Sequence, residues 1–183
     1  MLKPLSLSVE TVRQHVRFLE GVHKDADINS GMALYADRKV LSAAVERYER
    51  LWLPLVAAHW HSGQSLEPPV DIAWVWHLHR LAPLKYASYC TERFGRVLDP
   101  GASAFRFQSS NVAPGQGNDA SSVHTRELWT DMHEGAPFFL DRYDAGTSHP
   151  SESCLVDDVV ATSARQVGIQ HQRTGGHRRP QYF

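Results

Sequence analysis

The feature that most constrains the fold is an apolar segment of the chain between the prolines at positions 69 and 83. It holds two of the five tryptophans and two of the eleven histidines. As a helix it would be apolar nearly all round, because two different sets of residues follow the i, i+3, i+4, i+7 spacing of one face. The first set is Ile72, Val75, Trp76 and His79, the second is Trp74, His77, Leu78 and Leu81, and only Arg80 is an obvious solvent group. A helix of this kind is normally covered on several sides, so the sequence predicts a central helix.

Local signals mark the ends of this helix. Asp71 follows two prolines and is predicted to be the N-cap, since its carboxylate can accept from the free amides of the first turn. Pro83 stops the helix, because it lacks an amide donor, and can open a second one. That second helix is predicted to end at Gly95, a residue free to adopt the left-handed conformation. One side of it would carry Tyr86, Tyr89, Cys90 and Phe94.

Apolar spacing predicts four further helices. The first begins at Ser8 and would bury Val9, Val12, Val16 and Leu19. The next runs from near Asp37 to His59 and should be kinked, or split into two pieces, at Pro54. The remaining two are predicted at 125–132 and 155–170.

Together these elements predict an all-α fold. We expect a single irregular domain of about five or six helices around the central buried helix, spanning residues 1–170. Residues 100–122 are rich in glycine, serine and proline and are interpreted as a mobile surface loop. Residues 171–183 contain three arginines, no acidic residue and no apolar spacing, which is typical of a disordered basic tail.

Charge and cysteine content exclude several classes of protein. The 183 residues carry a formal charge of −1 and have a pI near 6.8, so no global field favours nucleic acid or an anionic membrane. Cys90 and Cys154 make neither a disulfide framework nor a Cys-x-x-Cys zinc pattern. No apolar run reaches the length of a membrane span, and the first twenty residues lack the core of a signal peptide. We therefore expect no membrane association, and a cytoplasmic or nuclear location rather than secretion.

The central segment also resembles a known family. The run DIAWVWHLHRLAP at 71–83, followed by Tyr86, Cys90 and FGRVLD at 94–99, is similar to the signature of the glycine-rich domain-containing protein family. Two weaker blocks agree in order, TRELW at 125–129 and the pair Arg165-Gln166. The resemblance covers roughly residues 35–170 and is most specific at 68–99.

This resemblance implies a eukaryotic class of proteins linked broadly to growth, development and stress responses, without a defined biochemical activity. Larger members continue into a C-terminal glycine-rich region and, in some, an RNA-binding motif. Neither is found in this sequence, so functions that larger members perform through these regions cannot be carried over to it.

Trp74, Trp76, His77, His79 and Arg80 are the candidate binding residues. The sharper hypothesis is a zinc or iron site made by Asp71, His77, His79 and Cys90, because imidazole and thiolate are good ligands for these metals. Residues two apart on a helix are rotated by about 200°, so His77 and His79 cannot chelate one ion from a regular helix. A site could still combine one of them with Cys90 or with His59 from a neighbouring helix. The alternative, which we favour, is that one histidine is buried and hydrogen-bonded and the other lies partly exposed near Arg80, with no cofactor.

Catalysis by Cys90 is a further hypothesis. Its position in the second half of a helix disfavours a thiolate, so a packed structural thiol is expected. We therefore predict a non-enzymatic regulatory or protein-interaction domain with an unidentified protein partner. The alternative is a metal-binding domain or metal-dependent enzyme that uses the four residues named above. Binding of RNA or another nucleic acid through the basic tail is the third hypothesis.

Overall fold

The structure is a computed structural model that describes residues 8–28, 37–60, 65–109 and 120–140 of the chain. Over these residues the regular structure is helical, apart from one isolated bridge between Pro69 and Gln108, and the predicted all-α class is confirmed. The elements are α1 (Val9–Ile28), α2 (Arg38–Arg47), a π-helical turn (Tyr48–Trp52), α3 (Leu53–Ala58), α4 (Val70–Arg80), α5 (Pro83–Phe94), a 3₁₀ turn (Gly101–Ser103) and α6 (Ala120–Met132). Because α2, the π turn and α3 form one continuous run, the described residues hold five separate helices.

Helix α4 lies at the centre of the molecule. Each side chain from position 70 to position 79 is buried, and the helix packs against α1, α2, the π turn and α5. The largest fully buried side chains of the core include Trp52, Trp74, Trp129 and Tyr48. The sequence pattern therefore identified the central helix correctly.

The predicted N-cap of α4 is wrong. Helix α4 begins at Val70, and the capping position is taken by Pro69 without a side-chain hydrogen bond. Asp71 lies inside the first turn and is buried, with its carboxylate facing Arg47 of α2. The attraction of a buried cation thus sets the orientation of the Asp71 side chain.

The α2–α3 run changes its hydrogen-bonding pattern next to Pro54, where the sequence predicts a kink or a split. Asp37 caps α2 by accepting a hydrogen bond from the Lys39 amide at 2.8 Å. Pro54 stands in the first turn of α3, and the Leu53 amide donates to the Tyr48 carbonyl five residues back. A proline cannot complete the usual helical hydrogen bond, and the wider π turn lies immediately before it.

Helix α5 follows the sequence prediction at both ends. Pro83 is its first residue, and Gly95 ends it in the left-handed conformation with φ of 72°. The Gly95 amide donates to the Thr91 carbonyl at 2.9 Å. Tyr86 and Cys90 are buried on the side that faces the core.

Helix α1 begins where predicted but buries a different face. The Ser8 hydroxyl accepts from the Thr11 amide at 3.1 Å, as expected for an N-cap. The valines of the predicted apolar stripe are exposed, Val9 by 67%, while Phe18 and Val22 are buried. Phenylalanine buries more apolar area than valine, which favours the face that carries Phe18.

The segment after α5 is packed against the core at residues 105–108. Phe105 and Phe107 lie against the core, and the Gln108 amide donates to the Pro68 carbonyl at 2.8 Å. Helix α6 begins at Ala120, earlier than the predicted start at position 125. Residues 110–119 of the predicted loop, the predicted helix at 155–170 and the tail at 171–183 lie outside the described residues. None of the described helices is long and apolar enough to cross a membrane.

Candidate functional site

Asp71 and Arg47 form a buried ion pair between α4 and α2. Asp71 Oδ2 lies 2.9 Å from Arg47 Nε, and Asp71 is only 1% exposed. Burial raises the pKa of the Asp71 carboxyl, and the Arg47 charge opposes that rise. Arg47 also donates to the carbonyls of Pro137 at 2.9 Å and Phe138 at 2.6 Å, and its guanidinium lies over the Trp129 ring. The pair therefore links α4 and α2 to the segment after α6.

His79 is enclosed by tyrosines. Its Nδ1 is 3.0 Å from the Tyr48 hydroxyl, and its ring packs edge-on against Tyr86 and Tyr89 with centroid distances of 4.9 and 5.1 Å. Burial raises the pKa of the Tyr48 hydroxyl well above its usual value, so this hydroxyl keeps its proton. The arrangement positions the ring of His79 inside the core.

His77 faces the opposite way, towards α1. Its Nε2 lies 3.4 Å from Nε2 of His15, and the two ring centroids are 5.0 Å apart. The rings of Phe18 and Trp74 contact the His77 ring at centroid distances of 5.1 and 5.9 Å. Burial, and to a smaller extent the Arg80 charge, lowers the pKa of His77 to about 3, so this imidazole is neutral at pH 7.

The favoured expectation for the two histidines agrees with the structure in part, since His79 is buried and hydrogen-bonded to Tyr48. Both are buried, whereas we expected one to be partly exposed near Arg80. Both have side-chain neighbours, His15 for His77 and Tyr48 for His79. Their opposite directions agree with the rotation between residues two apart on a helix.

The two tryptophans of α4 belong to the core. Trp74 is 1% and Trp76 is 3% exposed, and the Trp76 indole donates to the Tyr86 hydroxyl at 2.9 Å. The Tyr86 hydroxyl in turn donates to the Leu98 carbonyl. Such packing leaves each indole ring little open face for a ligand.

Arg80 is held against the segment after α5. Its guanidinium lies over the rings of Trp76 and Phe105, and it donates to the Ala104 carbonyl at 2.7 Å. We expected a solvent group at this position, but the side chain is half-buried and fixes the end of α4 to residues 104–105.

Cys90 is fully buried in α5. Burial raises the pKa of its thiol, and the hydrogen bonds with Leu98 and Tyr86 only partly oppose this. A thiol whose pKa is raised is rarely ionised to the thiolate at neutral pH, and it is therefore a poor nucleophile.

The four side chains of the metal hypothesis have different neighbours. Asp71 faces Arg47, His77 faces His15, His79 faces Tyr48, and Cys90 contacts Tyr86. Within the described ranges, no group of three or more histidine, cysteine, aspartate or glutamate side chains is arranged so that it could hold a metal ion.

A cleft opens on the surface between α3, residues 65–66 and the 3₁₀ turn. Its volume is about 220 Å³. Its apolar walls are formed by Trp60, Trp76, Val56, Leu66 and Pro100. Its polar groups are His59, Ser65, Asp99 and Ser103. The Ser65 Oγ is buried and has no hydrogen-bond partner among the described residues. A concave surface with aromatic walls and a few polar groups is the usual form of a binding site.

Comparison with known proteins agrees with the resemblance in the sequence. Residues 8–88 match the family model described as glycine-rich domain-containing protein-like. These residues form a glycine-rich domain-containing protein-like domain. The match contains α1 to α4 and the first half of α5, and so includes the central helix with both of its histidines.

Two Arabidopsis thaliana proteins are similar over most of the chain. Glycine-rich domain-containing protein 1 is 31% identical over 175 residues, and glycine-rich domain-containing protein 2 is 33% identical over 174 residues. Each alignment covers 90% of this chain but only 19% and 20% of the respective relative. The chain thus spans about a fifth of the length of these relatives. No solved structure matches the chain.

Sequence reasoning missed three residues of this glycine-rich domain-containing protein-like domain. His15 contacts His77, Arg47 contacts Asp71, and Trp60 lines the cleft. One signal was available for Arg47, which stands on the helical face that also carries Val40, Ala44 and Tyr48. A cation within an apolar stripe indicates a buried anion elsewhere in the chain. Neither His15 nor Trp60 has such a local signal.

Proposed function

We propose that this chain is a non-enzymatic protein-interaction domain that binds a segment of a partner protein in the cleft beside α3. The observation that carries the proposal is the composition of that cleft. Trp60 forms an aromatic wall, the largely buried Trp76 also lines the cleft, and polar groups such as His59 and Asp99 stand among the apolar ones. An aromatic and apolar centre with polar groups around it is typical of the anchor pockets of protein interfaces.

The chemistry of α4 and α5 supports a role without catalysis. The charge of Asp71 is paired with Arg47, and the Cys90 thiol has a raised pKa because it is buried. Both groups stabilise the packing, whereas a catalytic group must reach a substrate. The cleft, in contrast, is a concave feature that a partner can reach.

The regulatory part of the proposal rests on the family resemblance. We propose that the interaction serves growth, development or stress responses, and that it takes place in the cytoplasm or the nucleus. The free, buried thiol of Cys90 suits a reducing compartment. The metal-dependent alternative with Asp71, His77, His79 and Cys90 stays a prediction, as does nucleic-acid binding through the tail at 171–183.

The proposal can be tested by selection from a displayed library of random peptides. The full chain is immobilised, and peptides are selected on it in parallel with a Trp60→Ala variant. We expect peptides with a shared apolar or aromatic anchor to be enriched on the parent chain and lost on the variant. Loss of a central aromatic anchor pocket typically costs 2 kcal/mol or more of binding, which is roughly thirtyfold in affinity.

Leu84→Ala is the matched control, because Leu84 is 86% exposed on α5 and does not line the cleft. The control should retain the selected peptides with unchanged affinity. If peptides bind the parent and the Trp60→Ala chain equally well, or if no peptide is enriched, the cleft is not an interaction site.

A further inference from the structure

The imidazoles of His15 and His77 are separated by a distance typical of two ligands of one metal ion. Their Nε2 atoms are 3.4 Å apart. This exceeds the roughly 2.9–3.0 Å that is usual for a hydrogen bond donated by N–H. Two imidazole nitrogens bound at about 2.0–2.1 Å to one tetrahedral zinc ion lie about 3.3–3.4 Å apart.

The inclination of the two rings agrees with this geometry. The ring centroids are 5.0 Å apart and the ring planes make an angle of 56°. If the two imidazoles pointed straight at each other through their Nε2 atoms, the distance between their centroids would be the nitrogen separation plus two ring radii. That distance is longer than the observed 5.0 Å. The two Nε2 atoms are thus closer together than the two ring centres, as they are when two imidazoles bind one ion.

Aromatic neighbours hold both rings in place. Phe105 stacks on His15 with a centroid distance of 4.9 Å, and Phe18 contacts His77 at 5.1 Å. His15 belongs to α1 and His77 to α4, so each ring is anchored on a different helix. Ligands fixed by packing before the metal arrives lose little conformational entropy when they bind it.

The protonation state of the pair suits a metal. Burial lowers the pKa of both histidines, and the Arg80 charge acts in the same direction, so both imidazoles are neutral at pH 7. A neutral imidazole with its proton on Nδ1 carries a lone pair on Nε2, which is the form that binds metals. The same Arg80 charge opposes a nearby dication, so the affinity should be well below that of a structural four-ligand zinc site.

We propose that His15 and His77 form a two-histidine site for a divalent transition metal of the zinc type, with water at the remaining coordination positions. His77 is buried, but His15 is half-buried and gives the site a side open to solvent. The bound metal joins α1 to α4. The site is separate from the cleft beside α3 and does not depend on the function proposed for that cleft.

The test uses the full chain after removal of metal with a chelator. Co²⁺ is added as a spectroscopic probe, and Zn²⁺ is then used to displace it. The parent chain should bind one equivalent of Co²⁺, and His15→Ala should bind it with an affinity that is lower by about tenfold or more. The thermal midpoint of the parent should rise on addition of Zn²⁺, because a ligand that binds only the folded state stabilises it, and the midpoint of His15→Ala should not.

His23→Ala is the matched control, since His23 is exposed on the same helix α1. It should bind Co²⁺ and respond to Zn²⁺ as the parent does. Metal bound by other histidines would persist in His15→Ala. The site is therefore measured by the difference in bound metal between the parent and His15→Ala. Circular dichroism establishes that His15→Ala retains its helices. The site is excluded if the folded His15→Ala protein binds metal as tightly as the parent, or if the parent binds none, and the two histidines then form a packed pair only.

Discussion

At the scale of single residues, the pair of Asp71 and Arg47 shows how a buried charge can be retained. Removing a carboxylate from water is costly, and its partner offsets that cost only when the geometry is good. Here the ion pair measures 2.9 Å, and Arg47 satisfies two further carbonyls at Pro137 and Phe138. Removal of either charge would leave the other buried without compensation.

The first prediction concerns this pair. Asp71→Asn and Arg47→Met should each lower the free energy of unfolding by about 3–5 kcal/mol, because each leaves one buried charge. The double variant should lose less than the sum of the two, with a coupling of about 0.5–3 kcal/mol. Urea denaturation of the four proteins measures this cycle. Strictly additive losses would mean that the two charges do not stabilise each other.

The second prediction concerns the pH dependence of stability. The pKa of His77 is lowered from 6.5 to about 3, so the folded state favours the neutral ring. The unfolded chain therefore binds more protons between these pH values, and stability is full above about pH 6.5 and falls as the pH drops towards 3. Between pH 7 and pH 5 the loss from His77 should be about 2 kcal/mol. Denaturation at several pH values, with a chelator present, measures it.

His77→Gln is the variant that tests the cause. Glutamine does not titrate, so the fall in stability between pH 7 and pH 5 should be smaller than in the parent, whatever the stability of the variant at pH 7. An equal fall in both proteins would assign the acid sensitivity to other groups.

At the scale of the helices, α1 illustrates the difference between predicting a helix and predicting its buried face. Ser8 marks the start of α1 correctly, because an N-cap is a local interaction. The buried face depends on what the helix meets. Gly21 lies so close to the Phe107 ring that a Cβ at this position would be 3.0 Å from Cζ. That contact joins residues far apart in the sequence, and local spacing does not reveal it.

The third prediction compares the two faces of α1. Phe18→Ala should lower the free energy of unfolding by about 3–5 kcal/mol, because it removes a buried aromatic ring and leaves a cavity. Val16→Ala should change it by less than about 0.5 kcal/mol, since Val16 is 47% exposed. Chemical denaturation of both variants distinguishes the structure from the stripe that the sequence favoured. A larger loss for Val16→Ala would reverse the assignment of the faces.

At the scale of the whole molecule, the sequence predicted the features that depend on neighbours along the chain. Pro54, Pro83 and Gly95 placed helix boundaries correctly, because proline and glycine act on their own backbone. The near-complete apolar surface of the central helix also predicted its burial. The partners of Asp71 and His77 were not predicted, since Arg47 and His15 are brought to them only by tertiary packing.

The position of α6 depends on one such long-range group, the buried Glu67. Its carboxylate is 2.6 Å from Arg106 and accepts from the Ser122 hydroxyl at 2.8 Å. Its amide donates to Thr125 Oγ1 at 3.1 Å, and the Gln108 side chain donates to its carbonyl at 3.0 Å. Glu67 thereby connects the segment before α4 to α6 and to residues 106–108.

The last prediction follows from these connections. Glu67→Ala removes the acceptor of a buried hydroxyl, so it should cost about 1–3 kcal/mol of stability. The loss should be local, because α2 and α4 are held by the core and not by Glu67. Amide hydrogen exchange should therefore accelerate in α6 and in residues 105–109 and stay unchanged in α4. Glu127→Ala, on the exposed side of α6, is the control and should leave the exchange of both segments unaltered. Uniform acceleration across α4 and α6 would mean that α6 and the core unfold as one unit, and that Glu67 does not by itself fix the place of α6.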